Sequence, residues 1–323
     1  MSILLLIAGL VFLIAGGEAL VRSATGIALK ADIPPLIVGL TVVSIGTSAP
    51  ELFASVSAAI QGSPGLAVGN VVGSNIANLS LVLGLTALIY PIPIFRGAIY
   101  LDLLVLVGFT ALFVFLGFDG NLSTLDGALF LIAIVLYTAS LIRRSRKKKK
   151  EAEEGAEAAH SNSEHDLQEL AVMKQRGYGF LFMLALVGGV GLYFGAEWFV
   201  GGARQIAQSL NISDYIIGVT VVAFGTSVPE LVASIIAALR QQADISIGNL
   251  VGSNIYNIGL VLGTTASIAP LTIDAAMINY DFFWMAGIAL AMIPILLFAK
   301  KVHRLIGLML FLSYVTYVVL LLQ

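Results

Sequence analysis

The sequence predicts an all-α polytopic membrane protein whose ten transmembrane helices form two inverted five-helix repeats. Three observations predict this fold. The 323-residue chain is 59% hydrophobic and 11% charged, with a mean hydropathy of +0.98, far from the composition of soluble domains. Ten apolar runs have the length of a membrane span. A long motif in the first half of the chain also recurs in the second half.

The ten predicted spans fall into two groups of five, separated by one hydrophilic stretch. Each is an apolar run of about 20 residues, which as a helix crosses the hydrocarbon core of a bilayer. The N-terminal run has no basic start or cleavage site, so we interpret it as a permanent span rather than a secretory signal. The predicted spans are 2–27, 36–60, 66–90, 98–117, 124–142, 180–208, 214–239, 245–269, 279–299 and 304–322.

The hydrophilic stretch, residues 143–176, begins with a basic block and continues with an acidic one. We interpret it as a mostly disordered loop between a first repeat (1–142) and a second repeat (177–323). Basic residues that flank spans stay in the cytoplasm, so the loop is predicted to be cytoplasmic and the N-terminus external. Arg204 is an exception to this orientation. The short-loop residues that agree with it are Arg22, Lys30, Arg96, Arg240, Lys300, Lys301 and Arg304.

The internal repeat is the strongest signal in the sequence. Adding 179 to a residue number in the first half aligns the halves without a gap, and motif 37–86 matches motif 216–265 at 28 of 50 positions. Because each half contributes an odd number of spans, the two copies enter the membrane in opposite senses. Inverted repeats are typical of secondary transporters, whose substrate site lies at the repeat interface near the midplane.

Two glutamates lie inside predicted spans. They occur in "SIGTSAPELFAS" as Glu51 and in "AFGTSVPELVAS" as Glu230. A charge at the centre of a membrane helix costs on the order of 3 kcal/mol. The central parts of the spans contain no Lys, Arg or His, so a bound cation is the simplest compensation. The alternative is a structural carboxylate that accepts hydrogen bonds from Ser or Thr hydroxyls.

Neutral oxygen ligands surround each glutamate in the sequence. Thr47 and Ser48 precede Glu51 by four and three residues and therefore share its helical face. Pro50 is expected to kink the helix and free carbonyl oxygens around Gly46. The second repeat has the same arrangement in Thr226, Ser227, Pro229 and Glu230.

A companion motif follows each glutamate, "GNVVGSNIANLSLVLG" in the first repeat and "GNLVGSNIYNIGLVLG" in the second. Ser74 and Asn78 are four residues apart, as are Ser253 and Asn257, so each pair presents two uncharged oxygens on one helical face. The alternative for the asparagines is hydrogen bonding between helices. Hard oxygen ligands suit Ca²⁺ and Na⁺, and the lack of His and Cys argues against Zn²⁺ or Cu⁺. The predicted metal ligands are Glu51, Glu230, Thr47, Thr226, Ser48, Ser227, Ser74, Ser253, Asn78 and Asn257.

These motifs resemble those of a known family. The chain is similar to prokaryotic members of the cation/Ca²⁺ exchanger superfamily, close to the Na⁺/Ca²⁺ exchangers, whose two alpha repeats carry GTS-P-E followed by GN--GSN. The resemblance implies that Glu51 and Glu230 are shared Ca²⁺ and Na⁺ ligands and that oxygens of Thr47 and Thr226 complete the Ca²⁺ shell. It assigns Ser48, Ser74, Ser227 and Ser253 to flanking Na⁺ sites. The backbone carbonyls of Ser44 and Ala223 are further implied ligands. It also implies that the first and sixth helices slide across the other eight.

The resemblance implies a secondary antiporter that exchanges Na⁺ for Ca²⁺ by alternating access in the plasma membrane of a prokaryote. Two ionised glutamates are neutralised by one Ca²⁺ or two Na⁺, so a third Na⁺ would make the exchange electrogenic. A H⁺/Ca²⁺ antiporter is one alternative. A K⁺-dependent exchanger is another, which the neutral Asn78 and Asn257 disfavour. An alternative of another class is a passive cation channel with the glutamates as a filter.

Other classes of function lack their motifs in this sequence. The chain has no cysteine for disulfides or thiolate chemistry, no Walker-type loop and no nucleophile and base arrangement, so we expect no enzyme and no cofactor. The expected partners are Ca²⁺, Na⁺ and the lipid bilayer, with no nucleic acid and no required protein partner.

Four further carboxylates and one glycine-rich run receive structural interpretations. Glu18 and Glu197 are predicted to form helix-end salt bridges or to line a gate, and Glu18 can pair with Arg22 one turn on. Asp102 and Asp281 are predicted to stabilise helix N-termini. The small residues of "VGGVGLYFG" are expected to serve close helix packing or sliding.

Overall fold

The computed structural model describes residues 2–94, 96–154, 172–210 and 225–321. Helices make up nearly all of this part of the chain, and four two-residue strands connect their ends. The helices are α1 (Ser2–Ala31), α2 (Pro35–Thr47), α3 (Ala49–Ile60), α4 (Pro64–Ile89), α5 (Arg96–Gly117), α6 (Thr124–Glu154), α7 (Tyr178–Ser209), α8 (Val228–Leu239), α9 (Ala243–Ile268), α10 (Met277–Phe298) and α11 (Arg304–Leu321). The strands are β1 (Ile92–Pro93), β2 (Asn121–Leu122), β3 (Leu271–Thr272) and β4 (Lys301–Val302).

The helices follow the predicted spans. Eight helices of the described residues are long and apolar enough to cross a membrane, and α2 with α3 forms a ninth span that bends by 43°. Helix α8 is the C-terminal part of predicted span 214–239. Residues 214–224 of that span lie outside the described residues. The chain is therefore a multi-pass membrane protein. Helix occupies the described part of each predicted span, apart from the non-helical residues just before the two glutamates and single residues at the ends of some spans.

Helix α6 corrects the prediction for the hydrophilic stretch. It continues through residues 143–154, which the sequence interpretation placed in a mostly disordered loop. Arg, Lys, Glu and Ala are strong helix formers, and a helix that has already been nucleated extends at little cost. The helix that contains the fifth predicted span therefore continues beyond its apolar residues. Residues 155–171, with His160 and His165, lie outside the described residues.

The repeat is visible in the backbone. Helix α3 matches α8 at an offset of 179, as do the first turns of α4 and α9, and both of the latter contain a π-helical turn, at Asn78–Val82 and Asn257–Leu262. The gapless alignment is wrong for the last helix of each repeat, because α6 and α11 begin 180 residues apart. The second repeat has one extra residue between its fourth and fifth helices.

Short strands connect the two repeats. Strand β1 pairs with β4 and β2 pairs with β3, both antiparallel, so the connection before α5 meets the one before α11, and the connection before α6 meets the one before α10. Helices α4 and α9 form the centre, because 78% and 94% of their apolar windows are buried, against at most 39% for the other six unbroken spans of the described residues. The motif GN--GSN lies on these two central helices.

Helices α1 and α7 cross at glycines. A Cβ atom added to Gly16 would lie 2.7 Å from the backbone nitrogen of Leu192, and one added to Gly195 would lie 2.7 Å from that of Leu13. Gly188 makes the same approach to Leu20. The backbones are thus in direct contact, as GxxxG-like interfaces allow. This contact confirms the close packing predicted for the glycine-rich run.

Candidate ion-binding site

Both glutamates lie at a break in a helix. The residue before α3 is Ser48, with φ −83° and ψ 3°, and the residue before α8 is Ser227, with φ −88° and ψ 3°. A proline near the start of each following helix has no backbone N–H, which is tolerated in a first helical turn. The predicted kink is confirmed. Glu51 and Glu230 therefore occupy first helical turns, where unpaired N–H groups and the helix dipole favour negative charge.

The predicted site residues come together in the buried centre of the protein. The side chains of Glu51 and Glu230 have no exposed surface. Thr226 is half-buried, and the other predicted residues are all buried: Thr47, Ser48, Ser74, Asn78, Ser227, Ser253 and Asn257.

Contacts within the site join opposite repeats. The hydroxyl oxygens of Thr47 and Ser253 are 3.3 Å apart, and those of Ser74 and Thr226 are also 3.3 Å apart. Ser48 donates a hydrogen bond to Glu230 Oε1 at 3.3 Å. The two halves of the site are therefore completed by each other, as expected for a site at a repeat interface.

Several buried oxygens of the site lack a hydrogen-bond donor among the described residues. They include both carboxylate oxygens of Glu51 and Oε2 of Glu230. An unpaired buried polar atom is costly, and an unpaired carboxylate more so. A purely structural carboxylate would accept well-formed hydroxyl hydrogen bonds. Ser74 is the hydroxyl nearest to Glu51, but neither oxygen of Glu51 accepts a hydrogen bond of good geometry among the described residues. The arrangement instead suits a cation that satisfies these oxygens.

The two predicted asparagine ligands differ. Neither side-chain polar atom of Asn78 has a partner within the described part of the chain. Asn257 donates through Nδ2 to Asn75 Oδ1 at 3.1 Å, while its own Oδ1 is unpaired. Asn257 therefore hydrogen-bonds between helices and still presents an oxygen. Among the described residues, no three His, Cys, Asp or Glu side chains lie together as in a conventional metal site.

An open cavity of about 670 Å³ reaches the site from one side. It extends between α7 and the α3 helix and is lined by Thr226 of the site and by Pro50, the neighbour of Glu51. Exposed Glu197 also lines it, in agreement with the gate-lining interpretation. The cavity ends at Thr226 and Pro50, and the fully buried Glu51 and Glu230 do not line it.

Asn70 and Asn249 are site residues that the sequence interpretation missed. Each donates through Nδ2 to the backbone carbonyl of the nearby glutamate, Asn70 to Glu51 at 3.3 Å and Asn249 to Glu230 at 3.4 Å. They are the first Asn of the motif GN--GSN in each repeat. Their identity at matching positions was a usable signal, but nothing local revealed that they contact the glutamate-bearing helices.

The outlying carboxylates have two outcomes. Glu18 pairs with Arg22 at 2.5 Å and also with Arg240, which confirms a salt bridge, but Glu18 lies in the middle of α1 and not at its end. The helix N-terminus interpretation is wrong for Asp102 and Asp281, which lie beyond the first turns of α5 and α10.

Each of these aspartates instead contacts the last helix of its own repeat. Asp102 accepts hydrogen bonds from Arg144 Nη2 at 2.6 Å and Tyr137 at 3.2 Å, and Asp281 accepts one from Tyr317 at 2.8 Å. Partners that lie more than thirty positions away in the chain cannot be read from the sequence around an aspartate.

Comparison with known proteins gives consistent results. The family model described as "Sodium/calcium exchanger protein" matches residues 1–143 and 180–323. The putative antiporter CaxA of Alkalimonas amylolytica is 36% identical over 96% of this chain and 95% of its own length. The sodium/calcium exchanger MaX1 of Methanosarcina acetivorans is 32% identical over 99% of this chain and 98% of its own.

Among solved structures, the sodium-calcium exchanger NCX_Mj soaked with 10 mM Na⁺ and zero Ca²⁺ matches with a TM-score of 0.80 at 30% identity. The match covers 98% of each chain. The predicted fold class, ten helices in two inverted five-helix repeats, agrees with this structural match.

Proposed function

The chain belongs to the sodium/calcium exchanger family, and we propose that it exchanges Na⁺ for Ca²⁺ across the membrane by alternating access, with net extrusion of Ca²⁺. One observation carries the proposal: two fully buried glutamates, one from each repeat, hold three carboxylate oxygens without a hydrogen-bond donor in the described chain. Buried carboxylates of this kind need a cation.

The contacts support the following assignment of ligands. Glu51 and Glu230 bind Ca²⁺ and Na⁺ in turn, and Thr47 and Thr226 add neutral oxygens to the Ca²⁺ shell. The carbonyl of Ser44 already accepts the Ser48 N–H at 2.9 Å but retains a second lone pair. Its counterpart Ala223 lies outside the described residues. The flanking Na⁺ sites take their oxygens from Ser48, Ser74, Ser227 and Ser253, with Asn78 and Asn257 completing the set.

Charge balance makes the two ions compete. Two ionised glutamates bring a charge of about −2 to a site of low dielectric, which one Ca²⁺ or two Na⁺ neutralise. A third Na⁺ on neutral oxygens moves one net positive charge per cycle. The membrane potential then contributes to the driving force, about 2.3 kcal/mol per charge per 100 mV.

Alternating access uses the helix contacts already described. The cavity beside Thr226 opens the site to one side, and movement of α1 and α7 over the central helices would close it and open the other. We place the open side outside the cell and residues 143–176 in the cytoplasm of a prokaryote. In this arrangement 1–142 and 177–323 are the two repeats, and the motifs 37–86 and 216–265 form the ion pathway.

The test is Ca²⁺ uptake into liposomes that contain the purified protein and are loaded with Na⁺. Dilution into Na⁺-free medium should drive uptake, and Glu51→Gln or Glu230→Gln should abolish it, because each removes a charge that binds both ions. Asp119→Asn is a matched control, since it neutralises an exposed loop carboxylate but keeps the oxygen that accepts the Asn121 N–H.

Four outcomes would contradict the proposal. Uptake that survives both glutamate substitutions would remove the glutamates from the mechanism. Uptake that follows a pH gradient in the absence of Na⁺ would indicate H⁺/Ca²⁺ exchange, and a requirement for K⁺ would indicate the K⁺-dependent class. Single-channel currents without a counter-ion requirement would indicate a passive channel.

A further inference from the structure

Asn249 makes contacts on both sides of its amide group. The side chain is fully buried. Its Nδ2 donates to the carbonyl oxygen of Glu230 at 3.4 Å and to Ser234 Oγ at 3.0 Å. Its Oδ1 accepts from Thr47 Oγ1 at 3.0 Å and from Ser253 Oγ at 3.4 Å. One side chain thus connects the helix that carries Glu230 to two hydroxyls of the site.

The orientation of the amide is determined by these partners. A backbone carbonyl only accepts hydrogen bonds, so the group that faces the Glu230 carbonyl must be the NH₂ of Asn249. The amide oxygen must therefore face the hydroxyls of Thr47 and Ser253. Both hydroxyls can then donate to Asn249. Thr47 Oγ1 also lies 3.4 Å from the carbonyl oxygen of Ser44, but its contact with Asn249 Oδ1 is the shorter of the two at 3.0 Å and receives the proton.

We propose that Asn249 is a positioning residue that turns the hydroxyl protons of Thr47 and Ser253 away from the cation and so presents their lone pairs to it. The inference rests on the proposed function. A hydroxyl has one proton and two lone pairs, and only a lone pair can bind a cation. With both protons committed to Asn249, neither hydroxyl has one left for the other, so the contact between them joins two bare oxygens.

The spacing of these two oxygens fits a shared cation. Two ligands at right angles on a cation with bonds of about 2.3–2.6 Å lie roughly 3.3–3.7 Å apart. The observed separation of Thr47 Oγ1 and Ser253 Oγ is 3.3 Å. Two oxygens that both present lone pairs repel each other without a positive charge between them, so the arrangement favours a bound cation.

The first repeat provides a natural control. Asn70 makes the same donor contacts, to the Glu51 carbonyl at 3.3 Å and to Ser55 Oγ at 3.0 Å. Its Oδ1 accepts no hydroxyl among the described contacts, and Ser74 and Thr226 hydrogen-bond each other instead. Both asparagines therefore hold a glutamate-bearing helix, while Asn249 additionally orients ligand hydroxyls.

The experiment compares Asn249→Leu with Asn70→Leu by calorimetric Ca²⁺ binding to the purified full chain in Na⁺-free detergent, where Ca²⁺ takes the place of Na⁺ between Thr47 and Ser253. Each change removes the amide with little change in volume, but only the first frees two ligand protons. We expect Asn249→Leu to weaken Ca²⁺ binding by about 10–100-fold, the usual cost of losing a group that orients a metal ligand, and Asn70→Leu to weaken it less. An equal or larger loss in Asn70→Leu would overturn the inference.

A double-substitution cycle distinguishes orientation from simple packing. In a Thr47→Val background one of the two hydroxyls is gone, so Asn249→Leu should cost clearly less affinity than it does in the unchanged protein. An undiminished cost would show that Asn249 acts only through the Glu230 helix. Asn249→Asp keeps an acceptor oxygen and is measured even if the leucine variant does not fold; its Ca²⁺ affinity should stay within about tenfold of the unchanged protein. A greater loss would count against the inference.

The same measurements separate this inference from the proposed function. If the unchanged protein binds Ca²⁺, Glu51→Gln abolishes binding and Asn249→Leu binds normally, the proposed function stands and the role of Asn249 is rejected. If the unchanged protein does not bind Ca²⁺, both fail.

Discussion

The two sides of the glutamate pair have matching sequences but different structures. On one side, α1 packs against α8: a Cβ atom added to Gly17 would lie 2.8 Å from a side-chain carbon of Ile236 and 3.0 Å from one of Val232. Glu18, the next residue, pairs with Arg240 at the end of α8. This side of the site is closed.

On the other side, the matching positions line the open cavity. Ala196 and Glu197 of α7 correspond to Gly17 and Glu18, and they face Phe53 and Ser57 across the cavity of about 670 Å³. The duplicated sequence therefore permits two packings. The side formed by α1 and α8 adopts the closed packing, and the side formed by α7 and α3 adopts the open one.

The first prediction concerns the α1–α7 contact, which is the same on both sides. Gly16→Val should prevent formation of the folded protein, because even a Cβ atom would lie 2.7 Å from Leu192 N and 2.8 Å from the Gly188 carbonyl. We expect a loss of at least about 3 kcal/mol of stability, since backbone atoms cannot yield to the added side chain. The yield of monodisperse protein on size-exclusion chromatography measures it. Gly201→Ala on α7 is the control, because no atom lies within 4 Å of its added Cβ.

The second prediction compares the aspartates of the two repeats. Asp102→Asn removes the partner of Arg144, which is 30% exposed, and should cost about 2–3 kcal/mol of unfolding free energy, somewhat less than for a fully buried pair. Asp281→Asn affects a hydrogen bond from Tyr317 and should cost about 1 kcal/mol. Thermal unfolding of both variants in detergent checks the order. Equal losses would contradict the distinction between the two repeats.

The third prediction tests the closed side. Glu18→Gln should weaken its ion pairs with Arg22 and Arg240, which are partly exposed and together stabilise this packing by about 1 kcal/mol. The closed side should then open more often, by about fivefold. Because the chain has no cysteine, the rate of thiol labelling at Ile236→Cys reports the opening directly.

The matched variant for this test is Glu197→Gln, which removes an exposed carboxylate from the cavity wall. It should leave labelling at Ile236→Cys unchanged. Ser57→Cys, which lines the open cavity, should react rapidly in every background. Slow labelling at Ser57→Cys, or labelling at Ile236→Cys that Glu18→Gln does not accelerate, would remove the assigned difference between the two sides.

The fourth prediction concerns the serines before the two glutamate helices. Ser48 donates to Glu230, whereas Ser227 Oγ is buried with no partner in the described residues. In ion-free buffer, Ser48→Ala should lower the stability by about 1 kcal/mol, because a carboxylate oxygen loses its donor. Ser227→Ala should be neutral or slightly stabilising, because it removes an unsatisfied hydroxyl. Chemical denaturation without Na⁺ or Ca²⁺ compares them, and the reverse order would contradict the assigned contacts.

Much of this molecule could be predicted from local properties of the sequence. Hydropathy located the spans because a helix in lipid needs about 20 apolar residues whatever it packs against. Pro50 and Pro229 predicted the helix breaks because a proline removes its hydrogen bond wherever it occurs. The buried positions of Glu51 and Glu230 followed from their place in duplicated apolar segments, since a carboxylate in a span is expensive and faces the interior.

Only the tertiary structure decided which groups meet around those glutamates. The bond from Thr47 to Asn249 joins residues 202 positions apart, and the pair of Arg144 with Asp102 spans 42 positions. The sequence by itself determined the helices, their duplication and the charge of the site, because these depend on neighbouring residues. The packing of helices that are distant in the chain decides which hydroxyls face an amide oxygen and which side of the glutamate pair is closed. Because the duplicated halves have the same local pattern, they allow more than one packing.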